Sequence, residues 1–183
     1  MAFQSIWYTT RVPKKLVDTL EESLSEYDSN FSAGITYSGI NLKSRDSKTC
    51  WIPSDHWICG FCYHHVLMSN RTNFNYDIFG FDHDQMQYTS YSEGEYYNWH
   101  LDGGITVNSD VQRKLSVVLQ LSDPDEYEGG EMQIMNEDGS MYILPKTRGT
   151  LIVFDSRARH RVRKVYSGER KSLVGWVVGP RWK

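Results

Sequence analysis

His100, Asp102, His160 and Arg170 are the residues of this chain whose types and spacing point to chemistry. His100 and Asp102 stand two apart in Tyr-Asn-Trp-His-Leu-Asp-Gly-Gly, His160 follows 58 residues after Asp102, and Arg170 comes ten residues later. Two imidazoles and a carboxylate are the ligand set of a mononuclear non-haem iron(II) centre, which keeps open positions for a cosubstrate and dioxygen. On a β-strand, side chains two apart share a face, so His100 and Asp102 can grip one ion while His160 arrives from a strand across a barrel. An isolated His-x-Asp pair more often marks an exposed turn; only the full set is specific. Asp102 would lower the charge of a bound iron(II) site to +1, which still attracts a dianionic 2-oxo acid.

The distal carboxylate of such an acid needs an anchor, and a planar guanidinium supplies two parallel charge-assisted hydrogen bonds. Arg170 opens the segment Arg-Lys-Ser-Leu-Val-Gly-Trp-Val-Val, where alternation places Arg170, Ser172, Val174 and Trp176 on one face. If that face is internal, a cation, a hydroxyl and an aromatic wall lie in one row. The plain alternative is a surface salt bridge from Arg170 to Glu169 or Glu131. Tyr91 precedes the turn Ser-Glu-Gly-Glu, and a hairpin there would set it opposite the His100 strand, its phenol available to a cosubstrate. A core tyrosine is the other reading.

The elements that must position these residues divide the chain into a helical support, about 13–70, and a strand-rich core, about 76–178, in one domain spanning 1–183. Ile6 to Val12 alternates as a strand, and Pro13 opens a helix to about Tyr27 with Leu16, Val17, Leu20 and Leu24 on one face. Residues 28–50 read as a mobile loop turning at Gly34 and Gly39. Ser54 can cap a second helix, about 55–70, packing Trp57, Ile58, Phe61, Val66 and Met68 on a sheet. Strands are then expected at 76–82, 85–91, 96–101, 112–121, 130–136, 140–144, 150–154, 160–166 and 170–178, divided by turn-forming clusters. The fold class is mainly β, a double-stranded β-helix or jelly roll with two N-terminal supporting α-helices.

A net charge of −3 gives no global basic field for nucleic acid. The start of the chain lacks a basic head and apolar stretch, and no long apolar run follows, so the expectation is a cytoplasmic protein with no membrane association. Cys50, Cys59 and Cys62 are odd in number and read as ordinary thiols, although Cys59-Gly-Phe-Cys62 has the C-x-x-C form. His56, His64 and His65 read as polar surface or satisfied core residues.

The stretch Tyr91-x-x-Gly-x-x-Tyr97-x-x-His100-x-Asp102, the run from Leu115 to Glu131 with its Gly-Gly-Glu turn, the segment Gly149-Thr-Leu-Ile-Val-Phe-Asp-Ser, and then His160, Arg170 and Trp176 together resemble the iron(II)/2-oxoglutarate dioxygenase superfamily, in its prolyl 4-hydroxylase-like, PKHD-type branch. The resemblance implies His100, Asp102 and His160 on iron, Arg170 on the distal carboxylate of 2-oxoglutarate, Tyr91 against the cosubstrate and Trp176 lining the site. Ser172 enters through the arginine-x-serine pair of the related penicillin-synthase branch, and Ser116 or Gln120 could add a polar contact. The implied reaction couples decarboxylation of 2-oxoglutarate by dioxygen to C–H hydroxylation, with a peptide or protein prolyl residue as substrate and ascorbate as candidate co-reductant; residues 28–50 and 72–84 are candidate lids.

Two rivals stand beside this reading. Arg157, Arg159, Arg161 and Arg163 alternate around His160 and should project outward as a basic stripe, which could bind phosphates in a nucleic-acid demethylase of the same superfamily. A solvated edge is the simpler account of that stripe. A non-catalytic jelly-roll binding module is the rival from another class, set against the presence of every residue of the minimum set.

Overall fold

The alternation in the second half of the chain becomes two facing sheets, and which residues point between them decides where chemistry can occur. The computed structural model describes residues 6–34, 39, 41–103, 110–136 and 138–182. In chain order the strands are β1 (Trp7–Arg11), β2 (Ser32–Ala33), β3 (Arg45–Asp46), β4 (Lys48–Pro53), β5 (Gly80–Phe81), β6 (Gln85–Tyr91), β7 (Tyr96–His100), β8 (Val111–Gln120), β9 (Tyr127–Gly129), β10 (Met132–Met135), β11 (Met141–Ile143), β12 (Thr150–Asp155), β13 (Arg159–Val162), β14 (Val165–Gly168) and β15 (Arg170–Pro180). The helices are α1 (Lys14–Leu24) and α2 (Trp57–Ser69).

A larger sheet runs β1-β12-β8-β15-β6-β4-β2, with β5 also paired to β15; a smaller one runs β11-β10-β13-β7-β3; β14 pairs with β9. All the pairings are antiparallel. Strand β8, interior to the larger sheet, is buried on both faces from Lys114 to Gln120, and within that stretch Leu115, Val117, Val118 and Leu119 supply the apolar contacts. Leu115, Val117 and Leu119 join Val17, Leu20 and Leu24 of α1 and Ile58, Cys62 and Val66 of α2 in the main core. The intervening Val118 packs with Met132, Ile134, Ile152 and Phe154 in a second cluster between the sheets. Ser116 and Gln120 share the inward face with Val118.

Several expectations need correction. Residues 28–50 are not an unstructured loop: they carry β2, β3 and the start of β4, although 35–38 and 40 lie outside the described residues. In β4, Thr49, Cys50 and Ile52 are buried, a pattern hidden by the polar flanks. Strand β3 is only two residues long and exists through its pairing with β7. On α1, Val17, Leu20 and Leu24 are buried but Leu16 is 44% exposed, and the chain tightens into a 3-10 turn at Ser25–Asn30 rather than continuing as α-helix to Tyr27. Helix α2 is capped by His56, whose Nδ1 accepts from Ile58 N–H, not by Ser54; Trp57 and Met68 lie on its exposed side. The expected strand 76–82 shrinks to β5, and 160–166 splits into β13 and β14 because β14 leaves the small sheet to pair with β9.

Cys50, Cys59 and Cys62 are buried free thiols. His56 lies 3.5 Å from Glu26, and His65 meets the Phe61 ring. No helix among the described residues is long and apolar enough to cross a membrane.

Candidate metal centre and cosubstrate pocket

Strands β7 and β13 pair so that His100 and His160 are direct partners across the ladder. The register then slips: Tyr97 pairs with Val162, so three steps along β7 match two along β13. Such a bulge re-aims side chains at a strand end. Asp102 follows β7 and is fixed from the other sheet's connection, where its N–H and that of Gly103 donate to the Ser156 carbonyl at 3.1 and 2.7 Å.

Each imidazole is committed through one nitrogen. His100 Nδ1 lies 2.7 Å from the Asn98 carbonyl and His160 Nδ1 2.9 Å from the Ala158 carbonyl. A carbonyl only accepts, so Nδ1 carries the proton and Nε2 keeps its lone pair, the arrangement a metal-ligating histidine needs. Both Nε2 atoms face Asp102, at 3.6 Å from Oδ1 for His100 and 3.3 Å from Oδ2 for His160. The ligand atoms of the three residues all lie within 4.8 Å of one another.

The electrostatics follow from burial and neighbours. Burial would raise the Asp102 carboxyl, but His160, His100 and the Ser116 hydroxyl outweigh it and hold it well below the usual carboxylate range. Burial and the neighbouring His160 push His100 down to about 4, against Asp102 and the Asn98 carbonyl. For His160, burial works downward but Asp102 and the Ala158 carbonyl overcome it and raise the imidazole. The set is an anionic carboxylate between two imidazoles, a donor set that fits a divalent first-row ion such as iron(II).

Arg170, Ser172, Val174 and Trp176 line the same pocket as the triad, together with Tyr91. Arg170 is 1% exposed, donates to Gln120 Oε1 at 2.8 Å and Ser172 Oγ at 3.3 Å, and leaves Nε without a partner. Among the described residues no carboxylate makes an ion pair with it. Glu169 instead accepts from Ser90 at 2.5 Å and faces Lys171, and Glu131 lies 3.4 Å from Arg163. A buried cation among neutral groups, with a donor to spare, fits an anionic ligand better than a structural ion pair. The Trp176 indole Nε1 is likewise buried without a partner.

Tyr91 does not sit opposite the His100 strand. Chain reversal after β6 carries β7 into the smaller sheet, and Tyr91 pairs with Arg170, whose guanidinium lies 5.6 Å from its ring centroid. Ser116 and Gln120 divide their work: Ser116 Oγ donates to Asp102 Oδ2 at 2.7 Å, and Gln120 holds Arg170. Sequence reasoning missed Ser156, Arg45 and Gln87. Ser156 Oγ lies 2.9 Å from Ser116 Oγ; Arg45, 4% exposed, donates to Ser47 Oγ at 2.8 Å and Gln87 Oε1 at 2.6 Å on the pocket wall. Arg45 lay in the stretch read as a loop.

The Gly-Gly-Glu turn acquires a role. Gly129 and Gly130 have φ of +76° and +63°; a Cβ on Gly129 would stand 2.2 Å from the Lys164 carbonyl oxygen, and one on Gly130 3.1 Å from Arg170 Cδ. The outward stripe is largely engaged: Arg157 chelates Asp155, Arg161 donates to Gln133 Oε1 at 2.7 Å over Trp99, and Arg163 faces Glu131.

Residues 86–178 match the 2OG-Fe(II) oxygenase superfamily. The chain belongs to that superfamily. A PKHD-type hydroxylase of Shewanella sp. strain MR-7 is 37% identical over 92 residues, covering 49% of this chain and 41% of that one; the chain thus spans about two fifths of the length of this relative. Among solved structures, a Pseudomonas putida prolyl-4-hydroxylase shares the fold over 96% of this chain and 93% of its own, with TM-score 0.76 and 22% identity. A prolyl hydroxylase from Trichoplax adhaerens, solved with a hypoxia inducible factor oxygen degradation domain peptide fragment, gives 0.77 and 20% over 94% and 83%. These neighbours establish the jelly-roll architecture with its helical support.

Proposed function

We propose that this protein is an iron(II)- and 2-oxoglutarate-dependent oxygenase that hydroxylates a C–H bond, with a prolyl residue of a peptide or protein as the substrate class and succinate and carbon dioxide as coproducts. The observation that carries the reading is the buried Arg170 cation, surrounded by neutral groups and with an unpartnered Nε, lining the same pocket as His100, Asp102 and His160. In this reading His100 and His160 through Nε2, and Asp102 through its carboxylate, hold iron(II), and Arg170 takes the distal carboxylate of 2-oxoglutarate with Gln120 and Ser172 fixing its fork. Iron, 2-oxoglutarate and dioxygen together supply the oxidising power. The protein's residues orient and exclude: Val118, Met132 and Val162 form an apolar lining that keeps water from the reacting carbon, and Trp176 adds an aromatic wall suited to an apolar ring. The peptide complex of the Trichoplax neighbour supports the substrate class.

The test is succinate formation by the purified protein with iron(II), ascorbate, 2-oxoglutarate and oxygen, with and without proline-containing peptides. Turnover that requires iron and falls away in Arg170→Ala is expected, with acceleration and a 16 Da mass gain on one peptide identifying the target. Succinate formation indifferent to Arg170→Ala, or hydroxylation only of non-prolyl substrates, would overturn the corresponding part of the reading.

A further inference from the structure

The two histidines are not held alike. His160 is 5% exposed and set edge-on against Phe154 at 4.7 Å between centroids. The His100 side chain is 14% exposed and stands at the end of its strand. Its ring is held in plane by the Asn98 carbonyl at 2.7 Å, and the Tyr97 ring covers its face, with centroids 3.5 Å apart and planes 12° from parallel.

That stacking is not available to a regular strand, where residues three apart point to opposite faces. It exists because of the bulge opposite His160–Val162, which adds one residue to β7 and brings Tyr97 and His100 to the same side. Beyond Tyr97 the stack continues. Arg45, the direct cross-strand partner of Tyr97, places its guanidinium 4.8 Å from the ring centroid. Arg45 is itself fixed by Ser47 and by Gln87, whose Oε1 also accepts from Thr89. The Asn98 N–H donates to Ser44 O at 2.8 Å, so the strap around residues 44–47 grips both supports of the His100 ring.

We infer that Arg45 and Tyr97 are positioning residues for the metal: the layered stack of Arg45, Tyr97 and His100, made possible by the β7 bulge, fixes the plane of the His100 imidazole and so its Nε2 direction. The stack ties the larger sheet, through Gln87 and Thr89 of β6, to the ligand of the smaller one. Outer partners of metal-ligating histidines set ring orientation and hence affinity. This role rests on the assignment of His100, Asp102 and His160 as metal ligands, and needs nothing of the substrate.

The experiment is titration of the full chain with cobalt(II), a spectroscopic substitute for iron(II), following its visible absorption, alongside thermal melting of each variant without metal. Tyr97→Leu should weaken cobalt affinity about tenfold or more and alter the visible band. Tyr97→Phe, which keeps the ring and removes the hydroxyl, should stay within about threefold of wild type, and Arg45→Met should fall between, about threefold to tenfold weaker. Cobalt affinity and band unchanged in Tyr97→Leu, or reduced as much by Tyr97→Phe, would overturn the inference, as would losses that track melting temperature alone. If Tyr97→Leu does not fold, Arg45→Met decides: an unchanged affinity and band there reject the stack. Absence of cobalt binding by the wild-type chain would instead reject the metal assignment itself.

Discussion

Ser116, on an interior strand of the larger sheet, donates a 2.7 Å hydrogen bond to Oδ2 of Asp102, the carboxylate between two histidines of the smaller sheet. The same hydroxyl meets Ser156 Oγ, and Ser156 holds the Asp102 backbone through its carbonyl. Ser116→Ala should therefore weaken divalent-metal affinity about 10- to 100-fold, as loss of an outer partner does, with the fold intact by circular dichroism. Isothermal titration with manganese(II) or cobalt(II) measures it. Affinity equal to wild type would show that the serine pair does not orient the carboxylate.

Arg170 lends itself to a prediction of opposite signs. Without a ligand its buried cation lacks an anion, so Arg170→Met should match or exceed wild type in melting temperature, since replacing buried charge with apolar bulk is often neutral or stabilising. With 2-oxoglutarate and metal present the order should reverse, because only wild type gains binding free energy. Loss of the charge should cost about 2–5 kcal/mol of 2-oxoglutarate affinity. A large destabilisation of ligand-free Arg170→Met would mean that the arginine is a structural element.

Asp155 gives a pH-dependent contribution to stability. Burial would raise its carboxyl, but Arg157 and the Tyr76 hydroxyl outweigh burial and hold it below the ordinary aspartate value. A depressed native value stabilises the fold above the unfolded value and withdraws that stabilisation as pH falls through the native one. Wild type should thus lose unfolding free energy below about pH 4 more steeply than Asp155→Asn. Urea unfolding at a series of pH values checks this, and parallel acid limbs would refute it.

The thiols should be inert in the native state. Burial pushes Cys59 up to about 11 and Cys62 further, and a thiol rather than a thiolate is a poor nucleophile. Iodoacetamide at neutral pH should leave both unmodified by mass spectrometry until denaturant is added. Prompt alkylation of Cys59 under native conditions would contradict the packing of α2 on the sheet.

How much was legible depended on how local the cause was. The row Arg170, Ser172, Val174 and Trp176 follows from period-two alternation in one strand and lines the pocket together. The larger strands were readable for the same reason. Tyr97 and His100 were not readable as a pair, because spacing of three denies them a shared face unless a bulge intervenes, and a bulge depends on the partner strand. Arg45 and β3 were missed because a two-residue strand has no period; it forms only where β7 offers an open edge. Tyr91 was misplaced for a related reason: a short turn suggested a hairpin, but the chain crosses between sheets there and Tyr91 pairs with β15 instead.

The division of the pocket between layers has a mechanical consequence. Arg170, Gln120 and Ser172 belong to the larger sheet, and His100 and His160 to the smaller. A ligand anchored at both ends acts as a rivet through two plates. Its arrival should slow amide hydrogen exchange most in the short strands β7 and β13, whose own ladder is thin, and least in β8, already clasped on both sides.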